Sequence, residues 1–104
     1  KLGADMDVDA GQKAAALAAV SILSQIVYTA DIPLESITGI SKLTILVSSA
    51  PDFTDHHLVA NGASDVLVGV LGDVGRHSRA AFGVAALPLN AAVEIDAIIE
   101  IANS

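Results

Sequence analysis

The chain has 104 residues, 53% of them hydrophobic, with two Phe, one Tyr, no Trp and a formal net charge of −7. That length suits one domain, residues 1–104, with a modest core, and the aliphatic composition argues against disorder. Five Lys and Arg against twelve Asp and Glu argue against a nucleic-acid partner, which needs clustered cations, and the lack of cysteine excludes disulfides, thiolate nucleophiles and Cys-based zinc sites.

The opening KLGADMDVDAG has no basic-then-apolar run of a signal peptide. The most apolar stretch, Ala14 to Ala30, is interrupted by Ser21, Ser24 and Gln25 and falls short of the ~20 clean apolar residues of a membrane span. A cytoplasmic protein without a membrane partner is the expectation. Asp9 and Gln12 have capping-box spacing at the head of a helix expected over about Asp9 to Tyr28. Its apolar face reads Ala16, Val20, Leu23 and Val27, with Leu17 beside it.

A strand follows over Ile37 to Ser49, rich in β-branched residues, with Ile37, Leu43, Ile45 and Val47 in phase. Ala50-Pro51-Asp52 stops it, and Thr54 or Asp52 is placed to cap a second helix reaching about Leu71. Leu58, Val59, Val66, Leu67 and Val70 form its expected stripe. Gly72 to Gly75 reads as a turn, and two strands, Arg79 to Val84 and Ala91 to Ile101, finish the chain. The order is α-β-α-β-β. Three strands are thin cover for two helices of this length, so the expectation is that N-terminal strands are missing or that neighbouring copies supply the cover.

Arg79 heads one terminal strand, while Glu94 and Asp96 are two apart on the other and share its face. A fixed cation across from a carboxylate is what a site for a small anionic substrate needs. Other candidates are weaker. His56 and His57 are adjacent at a helix start, diverge, and lack an i, i+4 ligand, so no metal is expected. His77 lies near Arg76 and Arg79, where it is placed to help bind an anion or simply to sit exposed in a turn. Ser78 has no His-carboxylate arrangement. Gly72 and Gly75 begin no phosphate loop, and no cofactor motif is visible.

The run SRAAFGVAALPLNAAVEIDAI, with FTDHHLVANGASDVLVGVLG and DAGQKAAALAAVSILSQI before it, resembles the Rid family, also called YjgF or L-PSP, across essentially the whole chain. The resemblance implies an α+β, chorismate-mutase-like (YjgF-type) sandwich, a mixed sheet packed against two helices, and trimers with clefts between subunits. It implies that Arg79 holds the carboxylate of a 2-imino acid through two parallel hydrogen bonds and that Asn61, the family's helix asparagine, contacts substrate. It also implies that Glu94 positions or deprotonates the attacking water, so that a 2-keto acid and ammonia are released. No cofactor is implied. Several positions depart from the family pattern: Ala81 stands where cysteine is frequent, Asp96 replaces a second glutamate, Asn90 occupies a frequent glycine position, and a tyrosine near the start of active members has no counterpart.

Plainer roles stand beside these. Arg79 either binds a ligand or pairs structurally with Glu94 or Asp96; Glu94 is either a base or a solvated strand position; Asn61 either contacts substrate or holds a loop. Two functions follow: an imine or enamine hydrolase, or a non-catalytic binder of a 2-keto acid or similar carboxylate metabolite. A ribonuclease finds no support in the acidic composition.

Overall fold

A computed structural model describes residues 1–102. The elements are α1 (Val8–Ser24), β1 (Ile37–Ser48), α2 (His56–Leu71), β2 (Arg79–Val84) and β3 (Val93–Ile101), in the expected α-β-α-β-β order. Asp7, not Asp9, caps α1: its backbone is extended (φ −90°, ψ 174°), and its carboxylate accepts the Ala10 N–H at 2.9 Å. Asp9 already lies within the first turn, where it faces the positive end of the helix dipole. Past Ser24 a π-helical segment, Gln25–Thr29, prolongs the helix until Asp31 turns left-handed at φ 57°.

The buried face of α1 is Gly11, Ala15, Ala19 and Leu23, whereas Leu17 and Val20 are 70% and 49% exposed. This corrects the stripe expected from hydrophobicity. Small residues win because α2 comes very close: a Cβ on Gly62 of α2 would lie 2.1 Å from the Gln12 carbonyl oxygen of α1. Gln12 Nε2 also donates to the Leu58 carbonyl at 2.9 Å, so Gln12, read from sequence as a capping partner of Asp9, lies in the seam. On α2 the buried residues are Val59, Ala60, Ala63 and Leu67, while Val70 is 51% exposed. Neither Thr54 nor Asp52 caps α2; Asp55 occupies that position and makes no side-chain cap bond. With its extension the first helix runs Val8–Thr29, and the second with its terminal turn runs His56–Gly75, so by length and composition both are apolar enough to cross a membrane. Here they pack on each other and on the sheet, burying Gly11, Ala15, Ala19 and Leu23 of the first and Val59, Ala60, Ala63 and Leu67 of the second.

The sheet order is β2-β1-β3, with β1 parallel to β2 and antiparallel to β3. The parallel pair is joined through α2, the crossover such a pair requires. Leu43, Ile45 and Val47 of β1 are fully buried beneath the helices, as their alternation predicts. Register shifts between Ile37 and Gly39 and between Ile40 and Lys42 let Ile37 and Ile40, an odd number of residues apart, both point inward. The outer face carries Leu46, Phe82 and Ile98 among Glu94 and Asp96, and the described residues place no second layer on it; Phe82 and Ile98 are 48% and 58% exposed. β3 starts at Val93 rather than Ala91 because Leu89 and Asn90, at φ 57° and 58°, lengthen the preceding turn.

The helix seam is directly testable. Gly62→Ala should destabilise the fold by about 1–3 kcal/mol, the usual range for overpacking. Gly69→Ala, on the same helix where a Cβ meets nothing within 4 Å, should stabilise it by about 0.5–1 kcal/mol through helix propensity. Urea denaturation of both variants checks the pair; equal effects would refute the seam.

Candidate functional site

Asn61, Ser64 and Val68 are spaced i, i+3, i+7 and so share one side of α2. Gly72, at φ 67°, ends the helix in a conformation that favours glycine, and the short 3-10 turn Gly72–Gly75 reverses the chain. Gly75 is buried against the helix end: a Cβ there would lie 2.4 Å from the Leu67 carbonyl oxygen. This close approach lays residues 76–79 along α2. The two segments enclose a recess of about 310 Å³ lined by Asn61, Ser64, Val68, Arg76, His77 and Arg79.

Arg79 is opposite Leu43 in the register, on the inner, helix-facing side of β2. Its Nη1 donates to Ser64 Oγ at 2.9 Å, and its Nη2 donates to Asn61 Oδ1 at 2.7 Å and to the His57 carbonyl at 3.1 Å. All three acceptors are neutral, and Arg79 makes no ion pair among the described residues. Because a guanidinium has no acceptor, Asn61 presents its oxygen to Arg79 and turns its NH₂ away. His77 Nδ1 lies 2.5 Å from the Gly75 carbonyl and therefore donates to it; in the neutral ring Nε2 then accepts the Ser64 hydroxyl proton at 3.0 Å. Ser64 thus donates to His77 while it accepts from Arg79, and the cation is held at the end of a directed chain of hydrogen bonds.

Both forks of a guanidinium, Nη1/Nη2 and Nε/Nη2, use Nη2. With Nη2 already bonded to Asn61 and His57, two parallel bonds to a ligand carboxylate require one of these acceptors to withdraw. Asn61 is the one that can, since a side-chain amide rotates and a helical carbonyl does not.

Glu94 lies elsewhere. It is opposite Leu46, and Asp96 is opposite Thr44, which places both on the outer sheet face. Arg79 is on the inner face, so within one chain it pairs with neither carboxylate, and the structural bridge considered from sequence does not form. Its structural partner is α2. Of the candidate site residues, the structure brings Arg79 and Asn61 together and leaves Glu94 apart. Ser64 was missed; its spacing of three from Asn61 on a helix was the available signal. The remaining candidates have local partners: His56 Nε2 is 3.2 Å from Ser49 Oγ with its ring edge-on to Phe53, and Ser78 Oγ donates to the Ser41 carbonyl at 3.1 Å. Among the described residues no three His, Asp or Glu side chains converge in a way that could hold a metal ion.

A mixed sheet with both helices on one face, and an arginine at the strand end nearest the second helix, defines an α+β protein of chorismate-mutase-like architecture. The family model described as "YjgF/chorismate_mutase-like, putative endoribonuclease" matches residues 1–101, and the chain belongs to that family. Protein TCP17 of Trypanosoma cruzi is 46% identical over 104 residues, 99% of this chain and 64% of its own length. The crystal structure of Atu1372 from Agrobacterium tumefaciens, a protein described as of unknown function, superposes with a TM-score of 0.94 at 50% identity, covering 98% of this chain and 65% of that one. A structure from Shewanella oneidensis, titled "a putative endoribonuclease", gives a TM-score of 0.85 at 30% identity over 91% of this chain and 62% of that one. The chain therefore spans just under two thirds of the length of these relatives.

A double-mutant cycle on unfolding free energy tests the anchoring of Arg79. Arg79→Ala and Asn61→Ala should couple by about 1 kcal/mol, as expected for a charge-assisted hydrogen bond at a partly exposed position. Additive effects would remove Asn61 as an anchor.

Proposed function

We propose that this chain forms the carboxylate-binding part of a site that hydrolyses 2-imino or enamine acids to a 2-keto acid and ammonia. The observation that carries this reading is Arg79: a cation in a chain of net charge −7, oriented by neutral acceptors and without an ion pair among the described residues. Such a group is preorganised for an anion brought from outside. On entry, a substrate carboxylate oxygen takes the place of Asn61 Oδ1 on Nη2, and the released amide turns to donate its NH₂ to the ligand. Water adds to the imine carbon while a carboxylate accepts its proton and passes it to nitrogen, giving a carbinolamine; the proton of the new hydroxyl then passes to nitrogen as the C–N bond breaks, which leaves the keto carbonyl and free ammonia.

Glu94 is the carboxylate this reading assigns. Because it faces away from Arg79 within one chain, the assignment requires a second copy to bring its Glu94 to the recess. A homotrimer with intersubunit clefts meets that requirement, and the exposed apolar residues Phe82 and Ile98 on the outer sheet face favour association of copies. The same separation supports a second reading: a recess with an anchored cation and no carboxylate base of its own suits a binder of 2-keto acids. The endoribonuclease description borne by the family and the Shewanella protein has less physical support here, because a polyphosphate backbone calls for more cations than this acidic surface carries.

An amino-acid oxidase generating 2-iminobutyrate, with semicarbazide as competing trap, separates the two readings. The wild-type protein should suppress semicarbazone formation. Arg79→Ala should reduce kcat/KM about 100-fold by loss of the charged anchor, and Glu94→Gln should reduce kcat about 100-fold by loss of the base. A folded protein that binds 2-oxobutyrate without any turnover would leave the binder. Sedimentation checks the assembly: Phe82→Glu or Ile98→Glu should shift a trimer to monomers and remove turnover with it, whereas a wild-type monomer with full activity would refute the intersubunit site.

A further inference from the structure

We propose that the recess at Arg79 selects a dianionic ligand, a 2-oxo or 2-imino acid with a second carboxylate, and that Arg76 receives that second charge. This rests on the reading of Arg79 as the anchor of the first carboxylate. The chain has five Lys and Arg in all, and the two arginines line this one recess together with His77. Concentrating two guanidiniums around a small recess of an acidic chain raises the local potential for an anion well above that of the surrounding surface.

The two arginines are held differently. Arg79 has three hydrogen bonds to α2 and is fixed in direction. Arg76 is tied at one nitrogen only: its Nε donates to Asp73 Oδ1 at 3.2 Å, in a pair whose side chains are 74% and 95% exposed. An ion pair in that setting is screened and weak, so a ligand carboxylate can replace Asp73. Val68 supplies an apolar wall in the same recess, suited to the methylene groups that separate the two charges of a dicarboxylate. A monocarboxylic acid would use Arg79 and leave Arg76 with Asp73; a dicarboxylic acid would use both.

Calorimetric titration with 2-oxoglutarate and with 2-oxopentanoate, which has the same carbon chain but lacks the second carboxylate, tests the assignment. Wild type should bind 2-oxoglutarate about two- to fivefold more tightly, the upper part of the range of one solvent-exposed charge contact. Arg76→Gln should bring the two affinities to near equality, because 2-oxoglutarate loses more affinity than 2-oxopentanoate does. Lys13→Gln, which removes one positive charge on α1 outside the recess, should keep the full preference. Equal affinity for the two acids in wild type, or a preference that survives Arg76→Gln, would overturn the role of Arg76 and leave Arg79 as a carboxylate anchor. Binding of neither acid, or binding unaffected by Arg79→Ala, would overturn the anchor itself and the dianion proposal with it.

Discussion

Leu43 and Leu46 are three residues apart on the central strand, and the pleat turns them to opposite sides of the sheet. Arg79 is level with the first and Glu94 with the second. From this register follows the placement of each polar group discussed above. The arginine is carried to the helix layer, where α2 supplies its acceptors, while the carboxylates of β3 are carried to the open face. A shift of one residue in the β3 pairing would turn Glu94 and Asp96 beneath the helices and bury charge there, and a shift in the β2 pairing would carry Arg79 to the open face. Ile95, Ala97 and Ile99 of β3, packed against the core, make a shift of that strand costly, because they would be exchanged for Glu94, Asp96 and Ile98 from the outer face.

The second constraint is the closeness of the two helices. Gly11, Ala15 and Ala19 on one and Gly62 on the other bring backbone to backbone, which fixes the rotation of α2. That rotation aims Asn61 and Ser64 at the end of β2 rather than at solvent. The recess at Arg79 therefore depends on a seam of small residues outside its lining. Its polar order is likewise inherited: a backbone carbonyl sets the imidazole tautomer, the imidazole sets the serine hydroxyl, and the serine oxygen receives the guanidinium.

The strands were legible in the sequence wherever burial imposed a period of two, as in β1, and both helices were legible from propensity and their turn residues. The face of α1 was not. A hydrophobicity reading selects Leu17 and Val20, but the contact is governed by how near two backbones can approach, and alanine and glycine carry little apolar signal. The family resemblance singled out Arg79 and Asn61 separately, but their meeting was not legible, since the two belong to different elements. The separation of Arg79 from Glu94 was invisible in either terminal strand alone. It depends on two registers measured across β1, and the i, i+2 rule speaks only to residues on one strand.

One property of the sheet bears on how the chain reaches this arrangement. β2 and β3 are consecutive in sequence yet never pair; β1 lies between them. None of the three named strands is therefore joined to its partner by a hairpin, and each pairing must close a long loop that contains the whole of α2. Chains dominated by such distant contacts fold slowly, because loop closure is costly before any contact compensates for it. The helices, whose contacts are local, can form first and hold the strands near one another while β1 is still unpaired on both edges. During that interval the β-prone run LTILV, residues 43–47, is open to other chains. The architecture that sorts the polar groups so cleanly at the end is also the one that leaves its central strand longest without protection during folding.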